Sequence, residues 1–430
     1  MALTNVKLGK NLRSVSIVGV GATPFFDSIT NDTYKGITNG ELFGHAALDA
    51  MKDCGIEPRD VQFFYHGSAN PYILFKAVSA NMQVADWFGM RGKGSVAHSE
   101  GCCTGYIALE EAVMAVASGM YDCVLTGGCD MGKGMPDGNT PDHMRTALTA
   151  EIVFPDLDSL FDRAYGRYLG GGPGMNHDDW INFYAKENNM TPEQIDDILA
   201  HQAYYFRRNA SLCPRAMKRE TYDELAKAAG YDDVWEYMRS PYNPKMTQYL
   251  RTSSDSSVAD GAAACIVVPT EIAHKFTDKP VEVLGIGASV LDAIVPHLEK
   301  KATAEAARQV YELTGLTPDD MDILYVNDFI GSSAFLAAEE VGYLPKGEGW
   351  KYVMDGRIAF DGDKPMNTNG GRTSYGHAFA ASGLADIFEA VTQMRGEAGD
   401  RQVKKLPKHV FLRGFGGSQN VRCIILKAGF

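Results

Sequence analysis

Short apolar strands and helical segments alternate along the chain, and the same order occurs twice. The strand-length runs "SVSIVGVGA" and "PVEVLGIGA" are each followed by segments whose apolar residues have helical spacing. Strands that alternate with helices predict a mixed, mostly parallel sheet covered by helices. The pattern therefore predicts the α/β class.

Three segments of the first part are echoed in the same order in the last part. Gly19 and Gly21 match Gly285 and Gly287, an offset of 266 residues (285 − 19). "CGIEPRDVQFFYHG" is echoed by "TGLTPDDMDILYVND", and "CCTGYIAL" by "AASGLADI". A single echo is expected by chance among common strand–glycine–helix patterns, whereas three in register indicate a duplicated α/β unit.

The duplication predicts two halves, residues 1–275 and 276–430. Residues from about 132 to 251 have no counterpart in the second half, and we expect them to form a cap over the active site. The two G-x-G pairs lack the third glycine and the acidic residue of a dinucleotide site, so we expect tight turns after strands.

Composition narrows the class of protein. A chain of 430 residues with 45% hydrophobic and 22% charged residues is typical of a soluble enzyme. A net charge of −13 argues against a nucleic-acid partner. The longest apolar runs have strand length and the start lacks a signal-peptide core, so we expect neither a membrane span nor export. Eight cysteines without C-x-x-C spacing favour free thiols and a cytoplasmic location.

Two adjacent cysteines, Cys102 and Cys103, precede a segment that is apolar almost all round. This segment predicts a buried helix from Thr104 to about Gly119. The positive end of a helix lowers a thiol pKa, and its N–H groups can hold an oxyanion. Buried cysteines are more often plain core residues, so the helix start alone does not decide between nucleophile and packing.

The candidate general base is His377, which follows Gly376 in a glycine-rich loop before a second apolar helix. This position is equivalent to that of the cysteines in the second repeat. If the halves face each other, the two helix starts meet and His377 approaches a cysteine. A lone histidine is more often structural, so the pairing depends on the predicted fold.

These residues resemble the motifs of the thiolase superfamily. "CCTGYIA" fits its nucleophile motif C-x-[ST]-G-x-x-A, "NTNGGRTSYGHAFAASG" resembles its histidine motif, and "VADGAAACIVV" resembles its S-D-G-A-A-A strand. "SIVGVGATPF", "RRNASLCPRA" and "QMRGEAGDRQV" resemble the sterol-carrier-protein-type branch. The resemblance spans nearly the whole chain. It implies the thiolase fold, in which two duplicated halves pack as a five-layer αβαβα sandwich.

The resemblance also implies roles for single residues. Cys102 falls at the nucleophile and Cys103 at the variable position beside it. His377 matches the histidine that activates the nucleophile. Asn327, in "YVNDFIG", matches a residue that holds a water of an oxyanion hole, and Asp328 would orient it. Coenzyme A is the implied co-substrate, with no resident cofactor or metal.

The chain departs from the family at the second cysteine, which acts there as acid or base. Gly414 and Phe329 occupy its two usual positions. His177, His143 and Tyr375 are candidates for the missing group. Each is more often a structural residue, and His177 ranks first because of its glycine-rich approach.

The implied activity is that of an acyl-CoA C-acyltransferase that cleaves a 3-oxoacyl-CoA through an acyl-cysteine. The resemblance implies a homodimeric core and a possible small zinc-ribbon/OB-fold partner subunit. A thiolase-like acyltransferase or aldolase, or a non-catalytic binding subunit, is the alternative. Aromatic residues of the insertion favour an aromatic substrate such as benzoylsuccinyl-CoA, although such residues are more often core. They are Trp180, Phe183, Tyr184, Tyr204, Tyr205 and Phe206.

Overall fold

The structure is a computed structural model that describes residues 12–27, 36–69, 79–131, 173–290, 301–416 and 420–430. Within these ranges the strands are β1 (Val15–Ala22), β2 (Phe63–Gly67), β3 (Gly94–His98), β4 (Val124–Met131), β5 (Asp260–Pro269), β6 (Val281–Val290), β7 (Ile323–Val326), β8 (His409–Gly416) and β9 (Asn420–Ala428). The helices are α1 (Asn39–Asp53), α2 (Ala80–Val84), α3 (Thr104–Ala117), α4 (Pro173–Glu187), α5 (Pro192–Ser211), α6 (Tyr222–Ala228), α7 (Val234–Arg239), α8 (Ala302–Thr314), α9 (Ser332–Glu340), α10 (Gly349–Met354), α11 (Gly371–Ser374) and α12 (Phe379–Met394).

The described strands form one mixed sheet in the order β3-β2-β4-β5-β1-β6-β9-β8-β7. In the first half, β1 is antiparallel to β5, β5 is antiparallel to β4, and β4 is parallel to β2. In the second half, β6 is antiparallel to β9, β9 is antiparallel to β8, and β8 is parallel to β7. The two halves therefore repeat one topology, and a short β1–β6 pairing joins them.

The repeat extends to an irregularity of the backbone. The register of β1 against β5 shifts between Ile17 and Gly19, and that of β6 against β9 shifts between Val283 and Gly285. The second shift lies 266 residues after the first (283 − 17), which is the offset of the sequence echo. The predicted duplication is confirmed.

Side chains of successive strand residues point to opposite faces, and this alternation separates the layers. In β1, Ile17 packs with α3 and α12, whereas Val18 packs with α1. In β8, Leu412 packs with α3 and α12, whereas Phe411 packs with α8 and α9. The layers are α1, the first-half strands, α3 with α12, the second-half strands, and α8 with α9. This order is the predicted αβαβα sandwich.

The G-x-G pairs do not form tight turns, so that prediction was wrong. All four glycines lie inside β1 or β6, where a side chain would collide with a helix. A Cβ atom at Gly21 would overlap the carbonyl oxygen of Ala46 in α1, and one at Gly287 would overlap that of Ala306 in α8. The glycines therefore let the outer helices lie directly on the strands.

The described part of the insertion is helical, because its helices carry strong start signals. Thr191 and Gln194 form a capping box at the start of α5, and Thr221 and Glu224 form another at the start of α6. Residues of α4 and α5 pack into the cluster that contains α8 and α9. The insertion therefore rests on the second half of the molecule, and its role as a cap over the active site stays a prediction.

The division at residues 275 and 276 falls between β5 and β6 and also stays a prediction. In the described ranges, no helix has both the length and the apolar character required to span a bilayer.

The packing role of the strand glycines is testable by adding one carbon atom. We expect Gly287→Ala to lower the free energy of unfolding by about 3 kcal/mol, because α8 must move away from β6. Ser289→Ala in the same strand adds no atom and is the matched control, with an expected change within about 0.5 kcal/mol. Denaturant unfolding measures both, and equal changes would contradict the packing role.

Candidate active site

The structure brings the two principal candidates together from opposite halves. The Sγ atom of Cys102 lies 3.1 Å from Nε2 of His377, although the residues are 275 positions apart. Cys102 lies two residues before α3, in a turn that the hydroxyl of Thr104 fixes. This hydroxyl donates to the carbonyl of Gly101 at 2.6 Å and accepts from the amide of Glu100 at 2.7 Å. The thiol and the imidazole are therefore within proton-transfer distance.

The close approach depends on two glycines where α3 crosses α12. A Cβ atom at Gly105 would overlap the carbonyl oxygen of Ala380, and one at Gly383 would lie 2.5 Å from the ring of Tyr106. These glycines belong to the echoed Thr–Gly and Ser–Gly pairs of the two repeats. The predicted meeting of the two helix starts is thus observed.

Burial outweighs the helix end in setting the state of the thiols. It raises the pKa of Cys102 to about 12, and it does the same for Cys103. The expectation that the helix start would lower the thiol pKa was wrong. The amides of Cys103 and Thr104 are also occupied, because they donate to the carbonyls of Glu100 and Gly101. Cys102 therefore rests as a thiol and needs a base, and only geometry separates it from Cys103.

His377 is held by hydrogen bonds of its backbone and by contacts at both ring nitrogens. Its amide donates to the carbonyl of Ser257 at 2.8 Å, and its carbonyl accepts from Ala259 at 3.0 Å. Nδ1 lies 3.3 Å from the hydroxyl of Ser382, which accepts from the amide of Ala378 at 3.0 Å. Gly376, at φ 111°, permits the sharp approach to this position. Nε2 is therefore fixed toward Cys102.

The surroundings of His377 favour its neutral form. Burial, followed by the positive charge of Arg372, holds its pKa well below the usual value. A neutral imidazole with Nε2 unprotonated can accept the thiol proton. The pair therefore has the protonation states that a general base and its nucleophile require.

Asp130 is a neighbour that the sequence reasoning missed. Its carboxylate accepts from the hydroxyl of Ser68 at 2.6 Å, the amide of Ala69 at 3.0 Å and the amide of Ala380 at 2.8 Å. Burial raises its pKa to about 7. It ties the ends of β2 and β4 to the start of α12. An acidic residue at the end of the apolar strand "VLTGGCDM" was the available signal.

Asn327 lies just after β7, where its side chain amide bonds to the backbone. Nδ2 donates to the carbonyl of Phe415 at 2.7 Å, and Oδ1 accepts from the amide of Phe329 at 3.1 Å. The hydrogen bonds of Asn327 thus run to these residues and not to Cys102 or His377. Its role at an oxyanion hole stays a prediction.

Asp328 does not orient Asn327 as expected. Its carboxylate instead accepts from the side chain of Asn367 at 3.1 Å, the amide of Arg372 at 2.7 Å and the hydroxyl of Thr373 at 3.1 Å. Burial raises its pKa to about 6. Asp328 therefore anchors the glycine-rich loop that leads to His377.

Both usual positions of the second cysteine are filled by other groups. A Cβ atom at Gly414 would lie 2.6 Å from the ring of Tyr106, so no larger residue fits there in this packing. The ring of Phe329 has its centroid 6.3 Å from that of His377. An aromatic ring thus lies beside the imidazole.

Of the three remaining acid/base candidates, Tyr375 is the one whose side chain is among the described residues. His143 lies outside the described residues, and so does the side chain of His177, whose backbone is in α4. Tyr375 packs edge-on to Phe25 at 4.7 Å. Burial and then the neighbouring Cys213 raise its pKa well above the usual value, which does not suit acid/base work near neutral pH.

One of the six aromatic residues of the insertion reaches the rings beside the site. The ring of Trp180 lies edge-on to Phe415 at 5.9 Å, and Phe415 lies 6.4 Å from Phe329. Tyr184 and Phe206 are instead buried in the core cluster that contains α8 and α9. Phe183, Tyr204 and Tyr205 make their observed ring contacts with residues of the insertion. Among the described residues, no His, Cys, Asp and Glu cluster of three or more could hold a metal ion.

Known proteins are similar to this chain over most of its length. Residues 293–427 match the family described as "Thiolase C-terminal domain-like". The chain is 29% identical over 408 residues to the acetyl-CoA acetyltransferase of Methanothermobacter thermautotrophicus, covering 91% of this chain and 94% of the relative. It is 28% identical over 420 residues to the benzoylsuccinyl-CoA thiolase subunit BbsB of Thauera aromatica, covering 95% and 96%.

The fold is shared with a solved structure. A chain of the structure described as "Ltp2-ChsH2(DUF35) aldolase" has a TM-score of 0.71 and 21% identity, and the match covers 96% of this chain and 98% of that one. The chain is thus similar to thiolase-type proteins in its C-terminal family match and over nearly its full length, and it shares the fold of the aldolase structure.

The blocked second-cysteine position gives a test of the local packing. We expect Gly414→Ala to lower the free energy of unfolding by about 2 kcal/mol, because the new methyl group meets the ring of Tyr106. In a Tyr106→Ala background the same change has room and its cost falls by more than half. A double-mutant cycle of denaturant unfolding measures the coupling. Additive costs would show that Tyr106 does not block the position.

Proposed function

We propose that this chain is a thiolase-type acyl-CoA C-acyltransferase that works through an acyl group on Cys102. The single observation that carries the proposal is the 3.1 Å approach of the Cys102 sulfur to Nε2 of His377. Two helix starts from opposite halves create this approach. Cys103 is also buried, but it belongs to the core cluster of the inner layer, whereas Cys102 packs with Phe379 close to His377.

In the cleavage direction, Nε2 of His377 takes the proton of the Cys102 thiol while the sulfur attacks the keto carbon of a 3-oxoacyl-CoA. The bond between that carbon and the α-carbon breaks, and its electron pair stays on the α-carbon. The α-carbon takes the proton from His377 and leaves as an acyl-CoA. The thiol of coenzyme A then attacks the thioester, which releases a second acyl-CoA and restores the Cys102 thiol. Two moderate steps replace one difficult step.

The return of the proton through His377 compensates for the missing second cysteine. Gly414 and Phe329 hold the two places from which such a cysteine acts in the family, and neither can exchange a proton. The protonated imidazole loses its proton readily, because burial disfavours its charged form.

For the substrate we propose a 3-oxoacyl-CoA with an aromatic acyl group. The support is the line of rings formed by Trp180, Phe415 and Phe329, which leads to His377. The similarity to benzoylsuccinyl-CoA thiolase subunit BbsB is consistent with this substrate class. Benzoylsuccinyl-CoA is the specific compound that we place first.

An aldolase reaction is the second candidate function. The observation that favours it is the loss of the second cysteine from both usual positions. An aldolase of this fold would release an aldehyde and would not retain an acyl group on Cys102. Covalent labelling therefore separates the two reactions.

The test is the mass of the protein after incubation with acetyl-, succinyl- and benzoyl-CoA. We expect an adduct of one acyl group on the peptide that contains Cys102, with benzoyl preferred. Cys102→Ala abolishes the adduct, and the neighbouring Cys103→Ala is the matched control that keeps it. His377→Asn lowers the acylation rate by about 100- to 10,000-fold because the base is lost. An unlabelled Cys102 with release of an aldehyde would favour the aldolase.

We further propose a homodimeric core and a small partner subunit. The edge strand β3 supports the dimer, because it has one neighbouring strand in the sheet and Val96 is 40% exposed. The names of BbsB, a subunit, and of the Ltp2-ChsH2 structure support a partner chain.

Light scattering tests the dimer. We expect the purified chain to have twice its sequence mass, and Val96→Lys to shift it toward the monomer, because a charge on the edge opposes strand pairing. Leu406→Lys, at an exposed position of the second half, is the control and keeps the dimer. A monomeric wild-type chain, or equal effects of both changes, would contradict the proposed use of β3.

A further inference from the structure

A buried ion pair joins α11, which precedes His377, to α12, which follows it. The guanidinium of Arg372 donates to both carboxylate oxygens of Asp386, at 2.7 and 2.6 Å, and both side chains are 1% exposed. The hydroxyl of Tyr106 donates to the same carboxylate at 2.8 Å. Each member comes from an element next to the active site.

The three residues link the elements that position the pair. Tyr106 lies in the first turn of α3, just after Cys102, and Asp386 lies in α12, which follows His377. Arg372 lies in α11, five residues before His377. A shift of either helix would stretch these hydrogen bonds, so the network fixes the distance between the thiol and the imidazole.

One polar atom of this network, Nε of Arg372, takes part in none of its hydrogen bonds. Among the described residues, no acceptor lies within hydrogen-bonding distance of the buried Nε of Arg372. A buried donor without a partner lowers stability, so an arginine at this position needs an explanation other than stability. A cation held close to the reacting groups supplies that reason.

The charges around the pair identify what the cation does. Arg372 is the largest influence that lowers the pKa of Cys102, while Asp130 and Cys103 act in the opposite direction. For His377, Arg372 is the charged group among the described residues that acts beside burial, and it also lowers the pKa. Asp328 and Asp386 face Arg372 itself. The cation therefore favours a thiolate at Cys102 and a neutral imidazole at His377.

A second buried pair shows that this effect is not general. Glu389, also on α12, forms a bidentate pair with Arg401 at 2.8 to 3.1 Å, and both side chains have little exposure. Glu389 follows Asp386 by three residues, so the two pairs lie about one helical turn apart. Arg401 is not among the charges that act on His377.

We propose that Arg372 is an electrostatic positioning residue for the Cys102–His377 pair, held by Asp386 and Tyr106. It stabilises the negative sulfur when the proton leaves and keeps His377 able to accept that proton. This role rests on the proposed function of Cys102 as the nucleophile. Arg372 touches neither sulfur nor substrate in this role, so it acts through the pair.

The experiment is the pH dependence of Cys102 alkylation by iodoacetamide, read from peptide masses. In the double variant Arg372→Met/Asp386→Asn the cation is lost, and Tyr106 keeps an acceptor. Both pKa values then rise, so the whole rate profile moves to higher pH. We expect a rate about tenfold lower at a fixed pH on the rising part, equivalent to a shift of about one pH unit.

The double variant Arg401→Met/Glu389→Gln is the matched control, and we expect its profile to superimpose on that of the wild type. Arg372→Lys keeps the charge and should keep most of the rate. Identical profiles for all variants, or equal shifts in both double variants, would overturn the role of Arg372. A wild-type Cys102 that resists alkylation at every pH would overturn the proposed nucleophile itself and this inference with it.

Discussion

The close crossing of α3 and α12 is the constraint on which the site depends. Gly105 and Gly383 remove the side chains that would hold the helices apart, so backbone meets backbone at the crossing. Each helix belongs to one half of the duplicated fold, and each follows a residue with a reactive side chain. In either half alone, the cysteine or the histidine would lack its partner for proton transfer. Their packing places the two groups 3.1 Å apart.

Much of this arrangement was predictable from the sequence, because a duplicated unit repeats its sequence motifs in the same order. The echoes around Gly19 and Gly285 predicted the duplication, and the helix-start positions made the cysteine pair and His377 candidates. The resemblance to the thiolase motifs then selected Cys102 over Cys103. The use of the glycines was not predictable from spacing alone, because a strand glycine under a helix and a turn glycine have the same local pattern. The partners of Asp130 were equally hidden, since they come from distant parts of the chain.

Burial decides the protonation states of the site, and residue spacing alone does not reveal how deeply a side chain is buried. A helix end favours an anion, but the effect acts against the desolvation of a thiol enclosed by protein. At Cys102 desolvation is larger, so the resting state is neutral. The same burial keeps His377 neutral. One physical cause thus sets both members of the pair to the states from which a proton can pass between them.

The separation of nucleophile and base along the chain has a consequence during synthesis. After Cys102, a ribosome must add 275 further residues to include His377, which takes roughly 14 to 55 s at ordinary rates of translation. During that time the nascent chain carries Cys102 without its base and without α12, which completes the inner layer. The thiol is therefore synthesised before the rest of its site. A nascent chain contains no complete Cys102–His377 pair until its second half has been made.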